Sequence, residues 1–182
     1  MQENEQQIIA GLRDESKRED AFQLLIRKYQ ERLYWHIRKI VISHDDTNDV
    51  LQNTFLKAWK NIDHFRAESS LFTWFYRIAT NESITFLNSK KKRNMVPMSD
   101  DNQYLQDNLL SDPYFEGDAI QLKLQQAILR LPDKQRLVFN MKYFDELKYE
   151  EMSKILDTSV GALKASYHHA VKKIEEYLKH NN

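Results

Sequence analysis

The stretch FRAESSLFTWFYRIATNESITFLNSKKKR, residues 65–93, predicts a short loop followed by one long helix. Ser69 and Ser70 are candidate N-caps, because a serine hydroxyl can accept a hydrogen bond from an N–H of the first turn. Apolar residues then recur at the spacing of a packed helix face, namely Leu71, Phe75, Ile78 and Ala79. The opposite face carries Thr73, Arg77, Thr80 and Asn81. We therefore expect a helix that is buried on one side and open on the other.

The same helix combines aromatic rings with a basic end. Phe72, Trp74 and Tyr76 lie in its first two turns, and it ends with Lys90, Lys91, Lys92 and Arg93. This combination suits unpaired nucleic acid, because rings stack on bases with about 1–3 kcal/mol per base while cations follow the phosphates. Aromatic stripes are also typical of protein cores, so a packed helix with a solvated basic end is an equal alternative. Glu82 interrupts the apolar face, and it is either paired there or lies beyond the packed part.

Composition favours an all-α fold. Only 3 Gly and 3 Pro interrupt the 182 residues, and strand-like alternation is absent. The lack of Cys excludes disulfides, thiolate chemistry and cysteine zinc sites. No 18 apolar residues run together, and the N-terminal residues lack the basic start and apolar run of a signal peptide. We therefore expect a cytoplasmic protein without membrane insertion.

Charge is balanced overall but segregated along the chain. The 27 Lys and Arg match 27 Asp and Glu, yet residues 97–118 hold six acidic residues and no basic one. Two of the three prolines also fall between 95 and 118. This composition predicts an acidic linker over 95–118 that joins two small helical domains, over 1–94 and 119–182.

The N-terminal segment predicts two more helices, over 20–42 and over about 47–61. Asp45 or Asp46 is the expected cap of the second. Its inward face is predicted to hold Leu51, Phe55, Ala58, Trp59 and Ile62. Its outward face carries Asp49, Gln52 and Asn53, with Leu56 among them. An apolar side chain ringed by short polar groups suits docking by another protein, although single exposed leucines are common.

The C-terminal segment predicts a helix-turn-helix. A helix over 149–156 precedes the break Asp157-Thr158-Ser159, and a long helix follows from Val160 to about Leu178, with Ser159 as its N-cap. Candidate DNA contacts on the second helix are Ala162, Lys164, Ala165, Ser166, His169, Lys172 and Lys173. Small residues permit approach to base edges, a His can bond to them, and lysines reach phosphates. The alternative is an ordinary surface helix.

Four segments together resemble the extracytoplasmic-function (ECF) group of bacterial sigma factors, in the sigma-70 family. They are DDTNDVLQNTFLKAW at 45–59, FRAESSLFTWFYRIATN at 65–81, LRLPDKQRLVF at 129–139 and YEEMSKILDTSVGALKASYHHAVKKIE at 149–175. Their order and spacing match as well, over roughly residues 20–178. Only the linker is unmatched in detail.

The resemblance implies a sigma factor that binds core RNA polymerase, directs it to specific promoters and helps to open the minus-ten region. The polymerase-docking residues would be Asp45, Asp49, Gln52, Asn53 and Leu56. The minus-ten DNA, including the melted non-template strand with a flipped base, would be bound by Phe65, Ser69, Ser70, Trp74, Arg77, Asn81, Lys90, Lys91, Lys92 and Arg93. The second helix of the helix-turn-helix would read the duplex minus-thirty-five element.

The resemblance also implies an anti-sigma partner, no cofactor, no metal and no catalysis by this chain. The linker would run through the polymerase towards the RNA exit path, where its carboxylates could mimic RNA phosphates. Two features depart from the family pattern. Ser166 and His169 stand where arginines are common, which leaves the promoter sequence open. Asp157 stands at a turn that favours small or glycine-like residues, and Asp tolerates the left-handed conformation.

Other functions fit parts of the pattern. A stand-alone helix-turn-helix regulator would contact DNA only with its C-terminal domain. A helical metalloenzyme would use Asp45, Asp46 and Asp49 with His36 or His44, but the sequence contains neither His-Glu-x-x-His nor Glu-x-x-His. A pure protein adaptor is weakly disfavoured by the basic cluster at 90–93.

Overall fold

The computed structural model describes residues 2–65, 69–93, 105, 109 and 118–180, and these residues form helices and no strands. The helices are α1 (Gln2–Arg13), α2 (Arg18–Val41), α3 (His44–Lys60), α4 (Leu71–Arg93), α5 (Ala119–Leu129), α6 (Asp133–Tyr143), α7 (Tyr149–Leu156) and α8 (Val160–His180). A 3-10 turn lies at Ile62–His64. The all-α prediction is confirmed. None of the helices within the described ranges is long and apolar enough to cross a membrane.

The N-terminal helices pack around α2. This helix contacts α1, α3 and α4, and α3 also packs against α4. Fully buried side chains on the facing helices form the centre of the core, namely Leu25, Leu33 and Ile37 of α2 with Leu71 and Phe75 of α4. Helix α1 approaches α2 at Gly11, where a Cβ would lie only 2.7 Å from the Cβ of Ala21. The packing therefore positions α3 and α4, which carry the candidate sites.

The buried face of α4 is broader than the apolar spacing predicted. Thr73 and Thr80, expected on the open side, are buried with 5% and 1% exposure. Their hydroxyls are satisfied locally: Thr80 Oγ1 donates to the carbonyl of Tyr76 at 2.7 Å, and Thr73 Oγ1 lies 2.9 Å from the hydroxyl of Ser70. A hydroxyl that bonds within its own helix can enter a core at little cost. The prediction for these two residues was therefore wrong.

The same effect rotates the buried face of α3. Thr47 and Thr54 are buried and donate to the carbonyls of Ser43 and Val50, each at 2.7 Å. Trp59, predicted to point inward, is instead 40% exposed. Threonine is classified as polar in a sequence pattern, although its methyl group packs well once its hydroxyl is hydrogen-bonded to a backbone carbonyl.

The turn between α2 and α3 is strained. Ile42 has φ 69° and ψ −46°, and the N–H of Ser43 donates to the carbonyl of Val41 at 2.9 Å, which closes a γ-turn. Ser43 then caps α3, because its hydroxyl accepts from the N–H of Asp46 at 3.3 Å. The cap is therefore Ser43 and not Asp45 or Asp46. Both aspartates lie in the first turn, where negative charge favours the helix dipole.

Helices from the two halves of the chain share one core. Helix α4 packs against α7, and α2 packs against α6. The larger hydrophobic cluster combines the N-terminal core with Leu129, Val138, Met141, Leu147, Met152, Ile155 and Leu163. Leu105 and Leu109, both in helical backbone, are buried in the same cluster. The rest of the predicted linker lies outside the described residues, except Asp118, which caps α5 by accepting from the N–H groups of Ile120 and Gln121.

Candidate nucleic-acid and protein interface

The outer face of α3 presents the first group of predicted residues together. Asp45, Asp49, Gln52, Asn53 and Leu56 are all exposed, and Leu56 is 53% exposed despite its apolar side chain. Residues three and four apart lie on one side of a helix, so these side chains form one surface. We call it the α3 face.

Trp59 belongs to the α3 face, although the sequence analysis placed it in the core. Its ring packs edge-on against Phe22, with centroids 4.9 Å apart, while the rest of the indole remains accessible beside Leu56. Its position three residues after Leu56 was the available sequence signal. The α3 face thus carries two apolar groups three residues apart, with exposed polar and charged side chains beside them, which is the composition of a protein-docking surface.

The entry to α4 is built by capping. The hydroxyl of Ser70 accepts from the N–H of Thr73 at 3.1 Å, and the carboxylate of Glu5 accepts from the N–H of Leu71 at 2.8 Å. Ser70 is therefore the N-cap, as one of the two serines was predicted to be. Ser69 precedes it and is partly exposed. Residues 66–68 of the loop lie outside the described residues.

The three aromatic rings of α4 have different environments. Tyr76 is in the core, and its hydroxyl donates to the carbonyl of Arg32 at 3.3 Å. Phe72 is partly buried, with the guanidinium of Arg32 at 4.4 Å from its ring centroid. Trp74 is also partly buried and pairs with Phe65, the two ring centroids lying 5.3 Å apart. The core interpretation therefore holds for Tyr76, whereas Trp74 and Phe65 form an aromatic pair at the surface.

Polar residues extend this aromatic pair along α4. Arg77 and Asn81 are exposed and follow Trp74 at helical spacing. Lys92 and Arg93 are exposed at the end of the helix, and the side chain of Lys91 lies outside the described residues. We call this row from Phe65 to Arg93 the α4 strip. It combines stacking groups, hydrogen-bond donors and cations, and rings together with cations are the groups that bind single-stranded nucleic acid.

Two ion pairs fix α3 and α4 relative to each other. Lys57 Nζ lies 2.5 Å from Glu82 Oε1, and Lys90 Nζ lies 2.6 Å from Asp46 Oδ2. The first pair explains Glu82, which is charged on a partly buried face because it is paired there. The second engages a lysine that the sequence analysis assigned to DNA.

The helix-turn-helix prediction is confirmed. Helix α7 begins and ends at the predicted residues, and α8 begins at the predicted residue. Asp157 adopts the left-handed conformation, with φ 50° and ψ 48°. Ser159 Oγ accepts from the N–H of Ala162 at 3.3 Å and so caps α8. Leu163, Ala170 and Ile174 bury the inner face.

The outer face of α8 carries the predicted DNA contacts. Ser166 is half-buried, and the exposed members are Ala162, Lys164, Ala165, His169, Lys172 and Lys173. Lys142 of α6 was not predicted. Its ammonium lies 5.2 Å from the ring centroid of Tyr149, and that of Lys164 lies 5.7 Å from the same ring. Tyr149 thus brings a cation from α6 to the basic face of α8, and no local pattern in the sequence indicates it.

No group of three or more His, Cys, Asp or Glu side chains converges to hold a metal ion in the described ranges. The neighbouring rings of His168 and His169 on α8 have centroids 5.9 Å apart and lie at 61° to each other.

Two sequence-family models match the chain, Sigma-70 region 2 over residues 25–93 and Sigma-70 region 4 over residues 121–174. The ECF RNA polymerase sigma factor SigW of Bacillus subtilis is 30% identical, over 88% of this chain and 90% of its own. The ECF RNA polymerase sigma-E factor of Escherichia coli is 32% identical, over 80% of each chain. The sigma factor RpoE of Bartonella quintana, solved with the anti-sigma factor NepR, shares the fold, with a TM-score of 0.67, 21% identity and coverage of 87% of this chain and 96% of that one.

The two matched ranges contain the three candidate surfaces. The first includes the α3 face and the α4 strip, and the second includes the helix-turn-helix. A regulator with a helix-turn-helix alone would not account for the first match. The chain therefore belongs to the extracytoplasmic-function sigma factors of the sigma-70 family, which bind RNA polymerase and direct it to promoters for the initiation of transcription.

Proposed function

We propose that this sigma factor docks on core RNA polymerase through the α3 face. The observation that carries the proposal is the exposed pair Leu56 and Trp59 beside the polar groups of Asp49, Gln52 and Asn53. Apolar anchors at the centre of a polar rim provide most of the binding energy in protein interfaces. The functional division would be an N-terminal domain over 1–94, a linker over 95–118 and a C-terminal domain over 119–182.

The α4 strip would hold the minus-ten element. Trp74 and Phe65 supply rings against which an unpaired base of the non-template strand can stack, and Arg77 and Asn81 supply donors for its edge. Flipping a base from the duplex costs a few kcal/mol, which these contacts would offset. The cations of Lys92 and Arg93 would neutralise phosphates further along the strand.

Helix α8 would read the minus-thirty-five element in the major groove. Its N-terminal half offers small side chains at Ala162 and Ala165, which allow the helix to lie close to base edges. His169 can bond to a base, and Lys172 and Lys173 can reach phosphates. The chain would contribute binding and strand opening, and the polymerase would perform all the chemistry.

A cytoplasmic location and an anti-sigma partner follow from this role. The structural relative RpoE was solved in a complex with the anti-sigma factor NepR, and this supports a partner of the same kind. The carboxylates of the linker would occupy the RNA exit path of the polymerase.

The docking proposal is tested with Leu56→Lys and Asn53→Lys, each measured for binding to purified core polymerase. We expect a loss of at least tenfold in affinity, because a charge would enter the centre of the interface. Ile120→Lys is the matched control, since Ile120 is 76% exposed on α5, outside the α3 face. If Leu56→Lys bound core as tightly as Ile120→Lys, the α3 face would not be the docking surface.

The reading proposal is tested by promoter selection. Changing His169 and Ser166 should alter the preferred upstream sequence in run-off transcription on genomic fragments. Lys172→Ala should instead weaken binding to all sequences. It should also lower the salt dependence, with a change of about 0.9 in the slope of log K against log salt concentration. Equal effects of both changes on every sequence would exclude base reading by these two residues.

A further inference from the structure

The first turn of α4 is capped from a distant part of the chain. Glu5 of α1 accepts a hydrogen bond from the N–H of Leu71, with its Oε1 2.8 Å from that nitrogen, although 66 positions separate the two residues. The N–H groups of a first turn have no partner within their own helix, and the helix dipole favours negative charge beside them. Helix α4 has no acidic residue in its first turn. Glu5 therefore supplies an acceptor for Leu71 and the negative charge that α4 itself lacks there.

The packing of α1 holds Glu5 in place. Ile8 and Leu12 of this helix are buried in the core, with 2% and 5% exposure. Gly11 lets α1 approach α2 closely, since a Cβ there would lie 2.7 Å from that of Ala21. Glu5 lies three residues before Ile8 and therefore on the same side of α1. The core packing of α1 thus fixes the position from which the carboxylate reaches α4.

Helix α1 also lies beside the other end of the loop that precedes α4. Leu12 lines a small cavity of about 170 Å³ together with Phe65. Arg18, the first residue of α2, donates to the carbonyl of Leu12 at 3.1 Å and pairs with Asp63 at 3.0 Å. The end of α1 is therefore placed next to the 3-10 turn that leads into Phe65. Both Phe65 and Leu71, between which the loop runs, thus have neighbours on α1.

The capped turn carries Trp74. The N–H of Trp74 donates to the carbonyl of Ser70 at 3.1 Å, which is a main-chain bond of this first turn. The ring of Trp74 pairs with that of Phe65, with the centroids 5.3 Å apart. If the first turn of α4 frays, the bond to Ser70 breaks and the indole loses its fixed position beside Phe65. The order of the aromatic pair therefore depends on the cap at Leu71.

We propose that Glu5 is a positioning residue for minus-ten recognition, because its cap on α4 holds the rings of Trp74 and Phe65 ready to receive an unpaired base. This inference rests on the function proposed for the α4 strip. Rings that are already ordered lose less conformational entropy when a base stacks on them, so the cap strengthens binding of the melted strand. Glu5 lies before residue 25, where the match to Sigma-70 region 2 begins. The positioning role therefore belongs to a helix that the matched range does not include.

Indole NMR of the full-length protein tests the positioning without DNA. The chain contains three tryptophans, so Trp35 on α2 and Trp59 on α3 serve as internal references for Trp74. Glu5→Ala removes the acceptor and Glu5→Asp shortens its reach, so the indole N–H signal of Trp74 should shift and broaden in both variants. Glu5→Gln keeps an oxygen acceptor of the same reach and should retain most of the parent signal. An unchanged Trp74 signal in Glu5→Ala would overturn the proposal.

Amide exchange of the parent protein needs no variant to fold. The N–H of Leu71 should exchange with solvent at least about tenfold more slowly than in an unfolded chain, because it is hydrogen-bonded to Glu5. Exchange at the unfolded rate would show that this bond does not persist in solution and would overturn the proposal.

Binding of the melted strand tests the functional consequence. The probe is a single-stranded oligonucleotide with the non-template sequence of a promoter selected by run-off transcription, and each full-length variant is assembled with core polymerase. Glu5→Ala should weaken binding of the probe about fivefold, and Glu5→Gln should weaken it by less than about twofold. The affinities for core polymerase and for the duplex minus-thirty-five element should stay within about twofold of the parent, because α3 and α8 carry those contacts. Gln6→Ala, an exposed neighbour on α1, is the matched control and should bind the probe as the parent does.

The three affinities separate positioning from a general loss of structure. A merely structural role of Glu5 would weaken binding to core polymerase, single strand and duplex alike, and that result would overturn the proposal. The proposal would also be wrong if Trp74→Ala weakened binding of the strand and Glu5→Ala did not. If Trp74→Ala had no effect, the α4 strip would not bind the strand, and this inference would fail together with the proposed function. Comparison of Glu5→Ala with Trp74→Ala therefore distinguishes the two failures.

Discussion

The ammonium of Lys90, in the last turn of α4, lies 2.6 Å from the carboxylate of Asp46 in the first turn of α3. Both side chains are partly shielded, with 31% and 15% exposure. This pair and the pair of Lys57 with Glu82 connect the helix of the docking face to the helix of the α4 strip. The two surfaces are therefore held in one rigid unit, so that polymerase bound to α3 is placed at a fixed position relative to DNA bound to α4.

Lys90 and Lys92 should differ in their effect on DNA binding. Lys92→Ala should weaken the salt dependence of single-strand binding, because an exposed cation is lost. The slope of log K against log salt concentration should change by about 0.7. Lys90→Ala should change that slope less and instead lower the free energy of unfolding by about 1 kcal/mol, because Asp46 loses its partner. Binding titrations at several salt concentrations and urea unfolding measure both effects. Equal slope changes for the two variants would mean that Lys90 leaves Asp46 to contact the phosphates.

The glycines of α1 and α8 should respond oppositely to alanine. Gly11→Ala places a Cβ 2.7 Å from that of Ala21, so we expect a loss of about 1–3 kcal/mol from overpacking. At Gly161 the added Cβ meets nothing within 4 Å, so Gly161→Ala should stabilise α8 by about 0.5–1 kcal/mol. Urea unfolding of the two variants provides the comparison. A stabilised Gly11→Ala protein would show that α1 does not pack closely on α2.

Asp157 should be replaceable by glycine but not by valine. The residue has φ 50°, which glycine adopts freely and a β-branched side chain does not. Asp157→Val should lower the free energy of unfolding by about 1–2 kcal/mol, whereas Asp157→Gly should change it by less than about 0.5 kcal/mol. Thermal unfolding monitored by circular dichroism measures the difference. Comparable stability of both variants would argue against a left-handed residue in this turn.

Asp145 should make the free energy of unfolding depend on pH in the acidic range. The pKa of Asp145 in the folded protein lies below its ordinary value, so the carboxylate stabilises the protein at pH values above that ordinary pKa. This contribution is lost as the pH falls through the pKa of the folded state. At pH about 7, Asp145→Asn should lower the free energy of unfolding by about 3 kcal/mol, because Lys39 loses its counter-charge and the His36 ring loses the carboxylate that it contacts. The difference from the parent should narrow below pH about 4. Urea unfolding over this pH range gives both values.

Asp63→Asn is the control for the acid effect. Asp63 pairs with Arg18 at 3.0 Å, but its side chain is 66% exposed, so its removal should change the free energy of unfolding by less than about 1 kcal/mol at any pH. A loss of similar size from Asp63→Asn would show that the effect of Asp145→Asn comes from the change in net charge rather than from the contacts of Asp145 with His36 and Lys39.

The sequence alone determined the fold class, the family and most of the surface residues. Apolar spacing located the helices within a few residues, since the three-four period survives wherever one face is buried. Exposed residues such as Asp49, Asn53 and Arg77 were identified because they are polar and lie on the helix side opposite the apolar residues, which faces solvent. The sequence also predicted the turn at Asp157, because Asp is one of the few residue types that tolerate a positive φ.

The tertiary structure decided the rest. Thr54 and Thr80 are buried and Trp59 is exposed because packing on several neighbours, together with local hydroxyl bonds, outweighs the average preference of each residue type. Lys90 is paired because residue 46 lies across a helix interface, a relation that no local window contains. The contact of His36 with Asp145 spans 109 positions in the chain, so only the folded molecule brings the imidazole to the carboxylate.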